Sequence, residues 1–125
     1  MSLNVPDADF EIKIREISPD GKDRELAQDR VRVRYRNGGE KQQLVKPGET
    51  FLLNFDNAFI YIKKISKGSK LRLDFHSQMN HWAERNLGFG GEVSKEFTTK
   101  PRIIEATIMT DDKYPSKVVI PYTSN

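Results

Sequence analysis

The chain has 125 residues, a length that suits one domain around a single core without covalent staples. Hydrophobic residues make up 36% and charged residues 31% of it, and the absence of cysteine removes disulfides, thiolate zinc sites and cysteine nucleophiles together. The net charge of +3 is spread evenly, twelve Lys/Arg against eleven Asp/Glu in residues 1–64 and nine against seven in 65–125, so no electrostatic footprint for nucleic acid is present.

The first predicted element is a strand from Phe10 to Arg15, in which Phe10, Ile12 and Ile14 alternate with charged residues. It closes on Ser18-Pro19-Asp20-Gly21, which is turn chemistry. Lys22 to Asp29 is polar apart from Leu26 and Ala27 and reads as a loop or one weak helical turn. Val31, Val33 and Tyr35 then alternate with Arg30, Arg32, Arg34 and Arg36, and Asn37-Gly38-Gly39 signals a hairpin that returns through Lys41 to Val45. Lys46-Pro47-Gly48-Glu49 fits a type II turn. Further strands are expected at Phe51 to Phe55, Phe59 to Ile65 and Leu71 to His76.

After that last strand, Met79, Trp82 and Ala83 stand at helical spacing, so a short helix is expected near residues 77–86, ended by Gly88, Gly90 and Gly91. Val93 to Phe97, Ile103 to Met109 and Lys117 to Tyr122 complete the set. About eight short strands separated by turn signals predict an all-β fold, an antiparallel β-sandwich filling one domain over residues 1–125. No run approaches the ~18 apolar residues of a membrane span, and Met1 to Phe10 lacks the charged-then-apolar layout of a signal peptide. The expectation is a soluble, cytoplasmic or otherwise intracellular protein.

The arginine row is the most unusual feature. On one strand, Arg30, Arg32, Arg34 and Arg36 would share a face at roughly 6.7 Å spacing, able to engage successive anionic groups or a protein partner. The competing reading pairs them with acids such as Glu11, Glu40 or Glu49 across the sheet. His76 and His81, with Asp74 and Glu84 nearby, are too few for a defined metal site. With Trp82 they are candidates for a surface contact in which an exposed indole stacks on a sugar or enters a membrane interface, while the competing reading packs Trp82 on the core. No Gly-x-Ser-x-Gly elbow and no shared carboxylate cleft are evident, and Gly88-Phe89-Gly90-Gly91 lacks the strand-to-helix setting of a phosphate loop. Neither enzymatic activity nor a cofactor or metal is expected.

The pattern Leu71, Leu73, Asp74, followed by Leu87-Gly88 ahead of Val93, resembles the second half of a C2 domain. The length, the Phe10 to Ile14 strand and the basic row fit the same family. Where calcium-binding members carry an aspartate two residues after Asp74, this chain has His76. The resemblance therefore implies a calcium-independent sandwich that docks on anionic phospholipid or on another protein. The sequence reading is a non-enzymatic interaction module that binds a protein partner or self-assembles. Docking on an anionic membrane surface and carbohydrate binding are its alternatives.

Overall fold

The computed structural model describes residues 1–58, 62–77, 83–96 and 102–123. Among them the fold is all-β, with two antiparallel sheets and two single 3₁₀ turns as the only helical structure. Two-residue strands β1 (Ser2–Leu3) and β5 (Ala106–Thr107) pair with each other. The larger sheet holds β2 (Asp9–Ile17), β3 (Asp23–Arg32) and β4 (Lys70–Ser77) in the order β3-β2-β4. Five strands are thus described, where about eight were expected.

β2 forms where the alternation of Phe10, Ile12 and Ile14 placed it, and β4 where Leu71, Leu73 and Phe75 did. Ile12 lies opposite Phe75 and Ile14 opposite Leu73, so both apolar rows share one face of the sheet. β3 corrects the expectation of a loop over Lys22 to Asp29. The Ser18 to Gly21 turn, with Gly21 at φ 82°, folds this polar stretch straight back along β2. Cross-strand charge pairs then replace apolar alternation as the glue: Arg15 with Asp23 at 2.5 Å, and Lys13 and Arg15 with Glu25 at 3.4 and 3.5 Å. One irregularity interrupts the pairing, where Ile14 faces Ala27 and Arg15 faces Glu25, leaving Leu26 as an extra residue that bulges β3.

The strand expected to carry the arginine row ends at Arg32, and Val33–Tyr35 turns as a 3₁₀ segment. Residues 43–51 run beside the opening of the chain, held by backbone bonds from Val45 N to Pro6 O and Gly48 N to Leu3 O and by a two-way exchange between Phe51 and Met1. No strand forms over them, nor over the rest of the expected strand Phe51 to Phe55 or the described part of Phe59 to Ile65, of which 59–61 lie outside the described residues. The turn at Lys46 to Glu49 is present, with Gly48 at φ 82° and Glu49 N donating to Lys46 O at 3.0 Å. Val93–Lys95 is a 3₁₀ turn where a strand was expected. Of Ile103 to Met109 only Ala106–Thr107 pairs, and Lys117 to Tyr122 forms no strand. Of the expected helix near 77–86, residues 78–82 lie outside the described residues, Ser77 ends β4, and 83–86 are not helical.

The core collects Leu3, Val5, Ala8, Phe10, Val33 and Val45, with Phe51, Phe55, Phe75 and Ile104 packed against it. Phe10 stacks on Phe75 at 5.0 Å between ring centroids, and Phe55 meets Phe75 edge-on at 6.1 Å. Each fully buried apolar side chain is worth about 1.5–3 kcal/mol, so the first ten residues contribute heavily. The apolar face of the larger sheet is covered at this end only. Toward Leu73 and Leu71 it opens to solvent.

Candidate functional site

Two of the arginines singled out in the sequence, Arg32 and Arg34, meet in a polar centre between the opening of β2 and the end of β3. Asp7 is fully buried and Arg34 is 2% exposed. The Arg34 Nε donates to Asp7 Oδ2 at 2.7 Å and its backbone N–H to Asp7 Oδ1 at 2.8 Å. The Arg34 Nη1 donates to Gly91 O at 2.7 Å and to Gln42 Oε1 at 3.1 Å, while Nη2 is buried without a hydrogen-bond partner. Beside this pair, the Arg32 guanidinium forks onto Asp9, with Nε at 2.9 Å from Oδ1 and Nη2 at 3.0 Å from Oδ2, and it also reaches Glu84 at 3.4 Å. Its acidic neighbours, Asp9 first, hold the Arg32 pKa above the ordinary arginine value. The Asn86 amide bridges the two carboxylates, at 2.6 Å from Asp7 and 2.8 Å from Asp9.

Backbone geometry lets the glycine-rich stretch close over this centre. Gly88 has φ 77°, and a Cβ there would come within 3.2 Å of Asp7 O and of Val5. Only glycine combines that φ with so close an approach. Gly88 N–H donates to Asn86 Oδ1 at 2.9 Å, which orients the bridging amide.

The expected array of four guanidinium groups on one strand face is therefore corrected, because the chain turns after Arg32. Arg32 and Arg34 are held by carboxylates. Arg30 is half-exposed, with Glu11 at 3.5 Å, and Arg36 donates to the carbonyls of Val33 and Gln43 and lies 5.4 Å from the Phe51 ring centroid. Arg30, Arg32 and Arg36 line one open groove with Tyr35, Asn37 and Asn54, about 540 Å³ in volume. Glu40 and Glu49, the other suggested acids, make no ion pair among the described residues. His76 is exposed on β4, its Nδ1 3.2 Å from Ser77 O. His81 and Trp82 lie outside the described residues. No group of three or more metal-binding side chains occurs among the described residues.

A second cluster, which the sequence did not point to, forms around the buried carboxylate of Glu16. Glu16 accepts from Ser66 N–H at 2.9 Å, Ser69 Oγ at 2.7 Å and the Arg24 guanidinium. The Ser66 backbone donor, followed by Ser69 and Arg24, lowers its pKa to about 2. Arg24 also donates to Lys64 O at 3.0 Å, so the segment before β4 is pinned to the β2–β3 hairpin. An open groove of about 770 Å³ lies here, lined by Glu16, Ser18, Asp20, Lys22, Arg24 and others.

The missed residues had a signal. Asp7 and Asp9 repeat the two-residue spacing of Arg32 and Arg34, and β2–β3 pairing sets Asp9 opposite Arg32. In both clusters the carboxylates are saturated by arginine, amide and backbone donors. Such saturation holds charge in place and leaves no carboxylate free to move a proton.

Among the described residues no helix is long and apolar enough to cross a membrane. Comparison with curated proteins yields no match. A family model does match, over residues 1–119, and it is a different family from the C2 domains that the Leu71 to Val93 pattern resembles. The matched family is β-sandwich-like and non-catalytic. With nearly its whole length covered by that match, the chain belongs to the X-Pro dipeptidyl-peptidase C-terminal non-catalytic domain family.

Proposed function

We propose that this chain is a non-catalytic β module that docks on the catalytic unit of an X-Pro dipeptidyl-peptidase and stabilises it. One observation carries the reading. Five large apolar side chains, Leu52, Ile62, Ile103, Val119 and Tyr122, are each more than 70% exposed. A monomer with so lean a hydrophobic content gains nothing by leaving them in water, and covering each by a partner is worth up to about 1.5–3 kcal/mol. The family name supplies the partner's chemistry. Arg30 and Arg36, on the rim of the basic groove, add contacts to an acidic patch of that partner. Arg32 and Arg34 contribute indirectly, by fixing the turn that presents Arg36.

The test mixes this chain with a peptidase catalytic unit lacking its own C-terminal domain. Co-elution on size exclusion is expected, with a higher melting temperature for the catalytic unit. Ile103→Asp and Val119→Asp are expected to abolish co-elution while leaving the circular dichroism spectrum of the chain unchanged. Independent elution of the parent chain would refute docking. Hydrolysis of an Xaa-Pro p-nitroanilide by the chain alone would refute the non-catalytic assignment.

A further inference from the structure

We propose that the outer edge of β4 pairs antiparallel with β4 of a second copy, about a two-fold axis through Leu73, joining two three-stranded sheets into one of six. This does not rest on the peptidase reading.

The two edges of the larger sheet differ. β3 is bulged at Leu26, and a bulge twists an edge and blunts its pairing. β4 keeps unbroken register with β2 from Lys70 opposite Ile17 to Ser77 opposite Phe10. It contains neither proline nor glycine, and among the described residues no backbone hydrogen bond reaches its outer side. Eight residues of regular strand edge, unpaired among the described residues, are a template for another strand.

Sequence complementarity selects the occupant. With the axis at Leu73, Leu73 faces its own copy, Leu71 faces Phe75, Arg72 faces Asp74 and Lys70 faces His76, and each unlike pair occurs twice. Apolar residues meet on one face and charged residues on the other, so the open ends of the two apolar faces adjoin. Leu71 and Leu73, 47% and 46% exposed in the single chain, then cover each other. Moving the axis to Arg72 would set arginine against arginine, and moving it to Asp74 would set aspartate against aspartate, both unfavourable. A shift to an axis between residues would oppose leucine to charge. Of these registers the one centred on Leu73 satisfies both faces.

An interface built on a single strand pair belongs to the weak, reversible class, so dissociation on the order of 10–100 µM is expected. The decisive experiment uses the natural lack of cysteine. In the full chain, Leu73→Cys places two thiols directly opposite, with Cβ atoms about 4.5–5.5 Å apart, a small adjustment from disulfide geometry. Leu71→Cys places them four residues out of register, roughly 13 Å apart. Under mild oxidation Leu73→Cys is expected to cross-link at least tenfold faster than Leu71→Cys, at two positions of nearly equal exposure. Sedimentation velocity of the parent chain is expected to show a concentration-dependent dimer. Asp74→Arg should weaken it tenfold or more, and the exchange Arg72→Asp with Asp74→Arg should restore it.

Equal cross-linking rates, a monomer across the concentration range, or a dimer indifferent to Asp74→Arg would each overturn the proposal. If Asp74→Arg fails to fold, the cysteine pair still decides.

Discussion

Replacing Asp7 by asparagine removes one charge from the polar centre without changing its volume. Arg34 would stay buried, its Nε facing a neutral amide in place of the carboxylate now 2.7 Å away. Its Nη2 already lacks a partner, so the guanidinium has no spare contact with which to compensate. Breaking a buried ion pair by removing one member typically costs about 3–5 kcal/mol. For a chain of this length about 3–5 °C of melting temperature accompanies each kcal/mol, so Asp7→Asn should lower the midpoint by roughly 10–20 °C. Adding Arg34→Met removes the stranded charge and fills its channel with an apolar chain of similar length. The double variant is expected to recover to within about 1–2 kcal/mol of the parent, since well-packed apolar groups commonly replace buried pairs at little loss. Urea titration monitored by circular dichroism measures all four corners of the cycle. A single variant within 1 kcal/mol of the parent, or a double variant no better than Asp7→Asn, would refute the account of this centre.

Glu16, held at about 2 against an ordinary value near 4.5, stabilises the fold fully above pH 4.5, and that contribution disappears as pH falls through 2. Calorimetric melting of the parent and of Glu16→Gln should therefore differ at pH 7 and converge between pH 4.5 and 2; a pH-independent gap would contradict the hydrogen-bond assignment. Gly88→Ala forces φ 77° and a 3.2 Å contact with Asp7 O on a Cβ and should cost about 1–3 kcal/mol in urea unfolding. Gly91→Ala, with open space around it and no positive φ, should stay within about 0.5 kcal/mol. Phe75→Ala removes the ring shared by Phe10 and Phe55 and should cost about 3 kcal/mol by the same assay. Leu71→Ala, half-exposed on the same strand, should cost about 1 kcal/mol or less.

Alternation made β2 and β4 legible because each presents apolar residues to one side and charges to the other. The Pro47-Gly48 turn was legible because its chemistry is local. β3 was hidden by its polarity: what holds it is the match of Asp23 and Glu25 to Arg15 and Lys13 on the neighbouring strand, a pattern visible only once the hairpin is folded in the mind. The arginine row misled for the opposite reason. Val31, Val33 and Tyr35 keep a strand's period, yet Val33 fills the core from a 3₁₀ turn, because Asp7 captures both the backbone and the side chain of Arg34 and bends the chain there. Segments such as Phe51 to Phe55 alternate equally well. Among the described residues of that segment, Phe51 alone is tied to the opening of the chain, exchanging two bonds with Met1, and periodicity carries no information about how many bonds a neighbour will supply.

The first ten residues also impose a timetable on synthesis. Leu3 and Val5 are sealed by Val45, Phe51 and Ile104, and β1 pairs with Ala106–Thr107. At about 5–20 residues per second, a ribosome needs roughly 5–20 s to travel from the codon of Phe10 to the codon of Thr107, the last pairing partner. Throughout that interval this apolar segment has only the hairpin to lean on, which leaves it open to a chaperone.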